Sequence, residues 1–128
     1  MNVNSKSVRA ALVAASLAAP AFGMATSAFA HSELVSSVPA AGESVTGSVA
    51  ELRLFFSEPV EAAFNKVTVV GADKQPLNAD KPVVDPADGK VVVVGLDKPL
   101  AQGTFSVDWS VVSTDGHKSS GSYAFDVK

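Results

Sequence analysis

Cysteine is absent from this chain of 128 residues, and its two methionines, Met1 and Met24, both fall within the first thirty positions. A small exported domain is often cross-linked by disulfides, so this chain must depend on its apolar core instead. Beyond residue 30 the chain therefore offers a metal ion neither thiolate nor thioether sulfur. A blue-copper electron-transfer site is excluded, because such a site needs a cysteine thiolate.

Positive charge is scarce as well. The chain carries ten Lys and Arg residues against thirteen Asp and Glu residues, which gives a formal net charge of −3. The basic residues form no cluster. This acidic balance argues against binding to nucleic acid and to anionic membrane surfaces.

The N-terminal segment has the three parts of a secretory signal peptide. Lys6 and Arg9 precede an apolar, alanine-rich run over residues 10–22, and Ala28-Phe29-Ala30 offers the small residues that a signal peptidase requires. We predict cleavage after Ala30, which leaves one domain over residues 31–128 and places it in the periplasm. The apolar run is too short to span a bilayer comfortably, and no second one follows, so we expect no membrane span after cleavage.

Most of the remaining sequence alternates apolar and polar residues, which is typical of strands with one buried face. The alternating segments are Leu52–Phe56, Val67–Val69, Phe105–Val111 and Tyr123–Val127. Val91–Val94 is a continuous apolar run and indicates a strand covered on both faces. With turn residues between them, about seven short strands predict an all-β sandwich with Greek-key connections.

Three further features complete the predicted fold. Residues 59–65 have room for one helical turn, and residues 73–90, rich in Pro, Asp and Lys, predict a long loop or an irregular edge. Trp109 is expected to pack between the two sheets.

Only two histidines occur, His31 and His117. Cleavage after Ala30 would make His31 the first residue, which offers both an α-amine and an imidazole to one metal ion. Two nitrogens in one plane suit the tetragonal preference of Cu(II).

Asp115 and His117 form an Asp-Gly-His motif. In an extended segment, residues two apart point to the same face, and Gly116 allows a backbone that brings both side chains together. A carboxylate and an imidazole would complete a mixed nitrogen and oxygen ligand set for Cu(II). The alternative stays open that Asp-Gly is simply a turn, in which Asp115 bonds locally to the backbone and His117 is a solvated surface residue.

The chain resembles the CopC copper-resistance family of periplasmic copper-binding proteins. The matching segments are residues 31–42, 54–59, 103–117 and 121–128. The resemblance implies an immunoglobulin-like or cupredoxin-like sandwich and a copper site built from His31, Asp115 and His117. It also puts Glu58 near the copper, either as a carboxylate that orients a ligand imidazole or as an ordinary surface residue.

The same resemblance implies what the protein does. We expect one Cu(II) ion per mature chain, sequestered or delivered in copper homeostasis and resistance by a monomer that is not an enzyme. An inner-membrane transport protein of the CopD type is the expected partner. Some family members also have a methionine-rich Cu(I) site, which this chain lacks after residue 30.

The sequence leaves two alternative functions open. A histidine-brace copper enzyme of the polysaccharide monooxygenase type would use the same N-terminal histidine, but one Trp and one Tyr leave little for a flat aromatic binding face. A metal-free immunoglobulin-like interaction module would treat both histidines as incidental. No Ser-His-Asp hydrolase is indicated, because no serine stands out as an activated nucleophile.

Overall fold

The structure, a computed structural model, describes residues 32–78 and 81–128. The predicted signal peptide and His31 lie outside these residues. In the described ranges there are eight strands and one 3-10 turn over Ala62–Phe64. The strands are β1 (Leu34–Val38), β2 (Ser44–Val45), β3 (Val49–Phe56), β4 (Lys66–Val70), β5 (Val83–Asp85), β6 (Asp88–Leu100), β7 (Gly103–Val112) and β8 (Lys118–Val127).

The strands form two four-stranded sheets. The first has the order β1-β3-β6-β5 and the second the order β2-β8-β7-β4. Neighbouring strands are antiparallel, except that the two-residue β2 runs parallel to β8. Non-consecutive strands lie side by side, as in a Greek key. The predicted all-β sandwich is confirmed, and the short strands β2 and β5 account for a count slightly above seven.

Alternation along the strands explains why the sheets pack. In β7 the residues Phe105, Val107, Trp109 and Val111 are buried, whereas the residues between them are exposed or half-buried. Burying one large apolar side chain completely contributes about 1.5–3 kcal/mol. Trp109 meets Phe56 of the opposite sheet edge-to-face, with ring centroids 5.2 Å apart. The predicted core position of Trp109 is confirmed.

Three predicted segments can be described more exactly from the structure. Val91, Val92 and Val94 are buried as expected, but Val93 is only half-buried on the outer face, where its register partners are Arg53 and Val83. The predicted irregular edge over residues 73–90 contains β5, which is an edge strand. The predicted helical turn over residues 59–65 is the 3-10 turn.

The β7–β8 hairpin determines which residues reach one end of the sandwich. Its two ten-residue strands pair without a break, from Gly103 opposite Val127 to Val112 opposite Lys118. Residues 113–117 therefore connect them at that end. None of the helical structure in the described residues is long and apolar enough to cross a membrane.

Candidate metal centre

Residues 113–117 form a closed turn held by its own backbone. The Ser113 N–H donates to the carbonyl of His117 at 2.8 Å, and the Gly116 N–H donates to the carbonyl of Ser113 at 2.8 Å. Gly116 has a φ of 91°, a backbone conformation that side chains with a Cβ rarely adopt. The turn thereby folds Asp115 back toward His117.

A neighbouring segment fixes this turn against the sandwich. Val60 forms an isolated bridge with Ser113, and the Thr114 N–H donates to the carbonyl of Pro59 at 3.1 Å. The Glu61 N–H donates to the carbonyl of Val112 at 2.7 Å. The turn is therefore attached to the chain that leaves β3.

Asp115 and His117, the two predicted ligands of the Asp-Gly-His motif, are in contact. His117 Nδ1 lies 3.1 Å from Asp115 Oδ1, and both side chains are about half exposed. The His117 N–H also donates to the same carboxylate oxygen at 3.3 Å. The local backbone bond considered from the sequence is thus present together with the side-chain contact. A carboxylate oxygen and an imidazole nitrogen converge at a surface that solvent can reach.

Ser113 is the residue that supports this pair. Its side chain is buried, and its Oγ donates to Asp115 Oδ1 and reaches the carbonyl of His117 at 3.2 Å. The hydrogen bond from Ser113, followed by the one from His117, lowers the pKa of the Asp115 carboxyl below its ordinary value. The carboxylate is therefore ionised, as a metal ligand must be, throughout the neutral range.

The start of the described chain lies on the same side of the sandwich. Ser32 is completely buried, its Oγ donates to the carbonyl of Glu58 at 3.1 Å, and its own carbonyl accepts a hydrogen bond from Ser119 Oγ. Glu33 and Ser57 exchange two further bonds, each 2.9 Å long. The residue that follows His31 is thus held between the end of β3 and the beginning of β8.

Of the four residues named from the sequence, the structure brings Asp115 and His117 together. His31 lies outside the described residues. Glu58 is exposed, and its backbone carbonyl holds Ser32, while the role predicted for its carboxylate stays a prediction. Within residues 32–78 and 81–128, no three His, Cys, Asp or Glu side chains gather as a set of metal ligands.

Sequence reasoning missed three serines around this end of the sandwich. Ser113 precedes Asp115 by two positions, and a hydroxyl so close to an Asp-Gly turn is a local signal that could have been used. Ser32 and Ser119 have no such signal, because their contacts join distant parts of the chain. They could be found only in the folded structure.

Comparison with known proteins identifies the family. The family model described as the CopC domain matches residues 34–128. The chain belongs to the CopC family. That finding confirms the resemblance seen in the sequence.

Three similar proteins illustrate the similarity in sequence and structure. A Copper resistance protein C of Escherichia coli is 39% identical over 112 residues, covering 83% of this chain and 88% of that protein. The crystal structure of PcoC from E. coli is 38% identical with a TM-score of 0.66, and the match covers 77% of this chain and all of that one. CopC from Methylosinus trichosporium OB3b is 26% identical with a TM-score of 0.70, covering 77% and 94%.

The two E. coli relatives are named as copper-resistance proteins and not as enzymes, so the function of the family is related to copper. One difference separates this chain from PcoC, which is described as methionine-rich. The present chain has only Met1 and Met24. Any copper site in residues 31–128 must therefore use nitrogen and oxygen ligands.

Proposed function

We propose that this CopC protein, once residues 1–30 are removed, binds one Cu(II) ion in the periplasm and holds it or passes it on in copper homeostasis and resistance. The ligands are the α-amine and imidazole of His31, the carboxylate of Asp115 and the imidazole of His117. Glu58 lies nearby and orients an imidazole. The observation that carries the proposal is the Asp115–His117 contact on a turn beside the buried Ser32.

The distance within the pair fits a shared metal ion. Two donor atoms bound at right angles to one metal, each about 2.0 Å from it, lie about 2.8 Å apart. His117 Nδ1 and Asp115 Oδ1 are 3.1 Å apart. A small adjustment would therefore let one ion bind to both.

The position of Ser32 supports the involvement of His31. Ser119, which binds the carbonyl of Ser32, follows His117 by two positions, or about 7 Å along a strand. A residue bonded to Ser32 has its Cα about 3.8 Å away. The two nitrogens of an N-terminal His31 are therefore within reach of the Asp115–His117 pair.

The ligand chemistry selects the metal and its oxidation state. Amine, imidazole and carboxylate donors suit a tetragonal Cu(II) ion, whereas Cu(I) favours the sulfur ligands that residues 31–128 lack. Asp115 would also occupy a position that a copper monooxygenase keeps open for oxygen. We therefore favour a binding protein over the enzyme. On the strength of the family resemblance, it acts as a monomer with an inner-membrane partner of the CopD type.

The test is a calorimetric titration of protein beginning at His31 with Cu(II), and with Cu(I) and Zn(II) for comparison. We expect one tightly bound Cu(II) per chain, weak Cu(I) binding and the electron paramagnetic resonance spectrum of a tetragonal type-2 centre. Tight Cu(I) binding or an intense blue absorption would contradict the ligand set. Failure to bind Cu(II) would favour the metal-free module, and oxidation of a polysaccharide with added reductant would favour the enzyme.

A further inference from the structure

Ser119 donates a hydrogen bond to the backbone carbonyl of Ser32, and neither serine is a proposed copper ligand. We call this contact the serine clamp. Ser32 has no exposed surface, although serine is usually a surface residue. A buried hydroxyl is costly unless it is hydrogen-bonded, and Ser32 Oγ is bonded to the carbonyl of Glu58. The buried hydroxyl of Ser32 is therefore satisfied.

Ser32 is held through both its side chain and its main chain. Glu58 accepts from the side chain of Ser32, and Ser119 donates to its backbone carbonyl. These two bonds reach across 26 and 87 positions of the sequence. Ser32 is therefore hydrogen-bonded to two separate parts of the sandwich.

We propose that the serine clamp holds the residue next to His31 and thereby favours copper binding through the α-amine of His31. The inference deepens the proposed function and rests on it. A ligand group ordered in advance loses less conformational freedom on binding, and the metal is bound more tightly. Ser32 and Ser119 are thus positioning residues that contact no metal.

One consequence distinguishes this role from general support of the fold. The clamp tightens copper binding only when His31 carries a free α-amine. In a chain that begins at Ala30, the nitrogen of His31 is part of a peptide bond and is a poor ligand. Loss of the clamp can then no longer weaken copper binding through this amine.

A double-mutant cycle uses this dependence. Protein beginning at His31 and protein beginning at Ala30 are each prepared with Ser119 intact and with Ser119→Ala, and Cu(II) affinity is measured by competition titration. Ser120→Ala is the matched control, since Ser120 is the next residue of β8 and its side chain is exposed. Ser119→Thr keeps the hydroxyl and should restore affinity.

In the chain beginning at His31, Ser119→Ala should lower Cu(II) affinity by about tenfold, at the low end of the effect of losing a residue that orients a metal ligand. In the chain beginning at Ala30 the same substitution should have a much smaller effect, because the amine of His31 is no longer a ligand. Hydrogen exchange of the Glu33 amide, which is bonded to Ser57 beside the clamp, should accelerate in copper-free Ser119→Ala protein. Should this variant fail to fold, Ser32→Ala removes the Glu58 bond and provides the same comparison.

Three results would overturn the inference. Equal losses of affinity in both chains would assign the hydroxyl a general structural role. Unchanged affinity in the chain beginning at His31 would show that the clamp does not position the amine, while leaving the copper site intact. Equal affinities of the two chains with Ser119 present would show that the α-amine is no ligand, which would overturn the clamp and the proposed ligand set together.

Discussion

The two sides of the candidate copper site are built in different ways. On the turn side, the bonds among Ser113, Asp115 and His117 join residues two to four positions apart. On the N-terminal side, the bonds that hold Ser32 and Glu33 join residues 24 to 87 positions apart. The first side is local and is largely specified by five consecutive residues. The second exists only when the sandwich is closed.

This difference predicts how each side responds to change. Substitutions of Asp115 and His117 should alter copper binding directly and leave the fold intact, because both side chains are exposed, unlike the buried Ser113. The N-terminal side should depend on any change that loosens the contact between β1, β3 and β8. On the turn side, copper affinity should therefore change without a change in folding stability. On the N-terminal side, a change that lowers folding stability should also lower copper affinity.

The largest effect is expected from removing a ligand of the turn. His117→Ala should weaken Cu(II) binding by more than about 100-fold, since residues that merely orient a ligand already account for about 10–100-fold. Asp115→Ala should act in the same direction. Both residues are exposed, so the free energy of unfolding should change by no more than about 0.5 kcal/mol. Titration measures the Cu(II) affinity, and urea unfolding measures the free energy of unfolding. If the affinity of His117→Ala stayed within twofold of wild type, the Asp-Gly-His motif would not be part of the copper site.

A smaller effect should follow from straining the turn. Gly116 and Gly42 have φ values of 91° and 75°, and no atom lies within 4 Å of the position a Cβ would take at either. Gly116→Ala and Gly42→Ala should each destabilise the fold by about 1 kcal/mol through backbone strain alone. Only Gly116→Ala should also weaken Cu(II). If Gly42→Ala weakened it equally, the loss would come from overall stability and the local character of the turn would be wrong.

The smallest effect concerns the pKa of Asp115 in the copper-free protein. Ser113→Ala removes the main cause of its lowered pKa, so the pKa should rise toward 3.8, as followed by carboxyl NMR shifts in a pH titration. A carboxyl with a lowered pKa contributes stability above its unfolded value and loses it as the pH falls through the folded value. Ser113→Ala should therefore lose less stability on acidification. An unchanged pKa would show that Ser113 does not support the carboxylate, and Ser120→Ala serves as the control.

Local sequence patterns account for much of the fold and for one side of the site. Alternation over Phe105–Val111 predicts a strand with one buried face, and the buried set in β7 is the one expected. The Asp-Gly-His motif predicts that carboxylate and imidazole meet, and they do so at 3.1 Å, although in the turn that was the alternative and not in an extended segment. The lack of sulfur after residue 30 restricts the ligands to nitrogen and oxygen. Each of these inferences uses residues that are neighbours in the chain.

Tertiary structure decided the contacts that join distant segments. A Cβ on Gly121 would come within 2.7 Å of Trp109, a requirement set by the pairing of β7 with β8. The contact of Phe56 with Trp109 depends on how the two sheets face each other. Ser32 meets Glu58 and Ser119 for the same reason. Periodicity reports which face of a strand is buried, whereas only the packing of the sheets determines which residues meet across them.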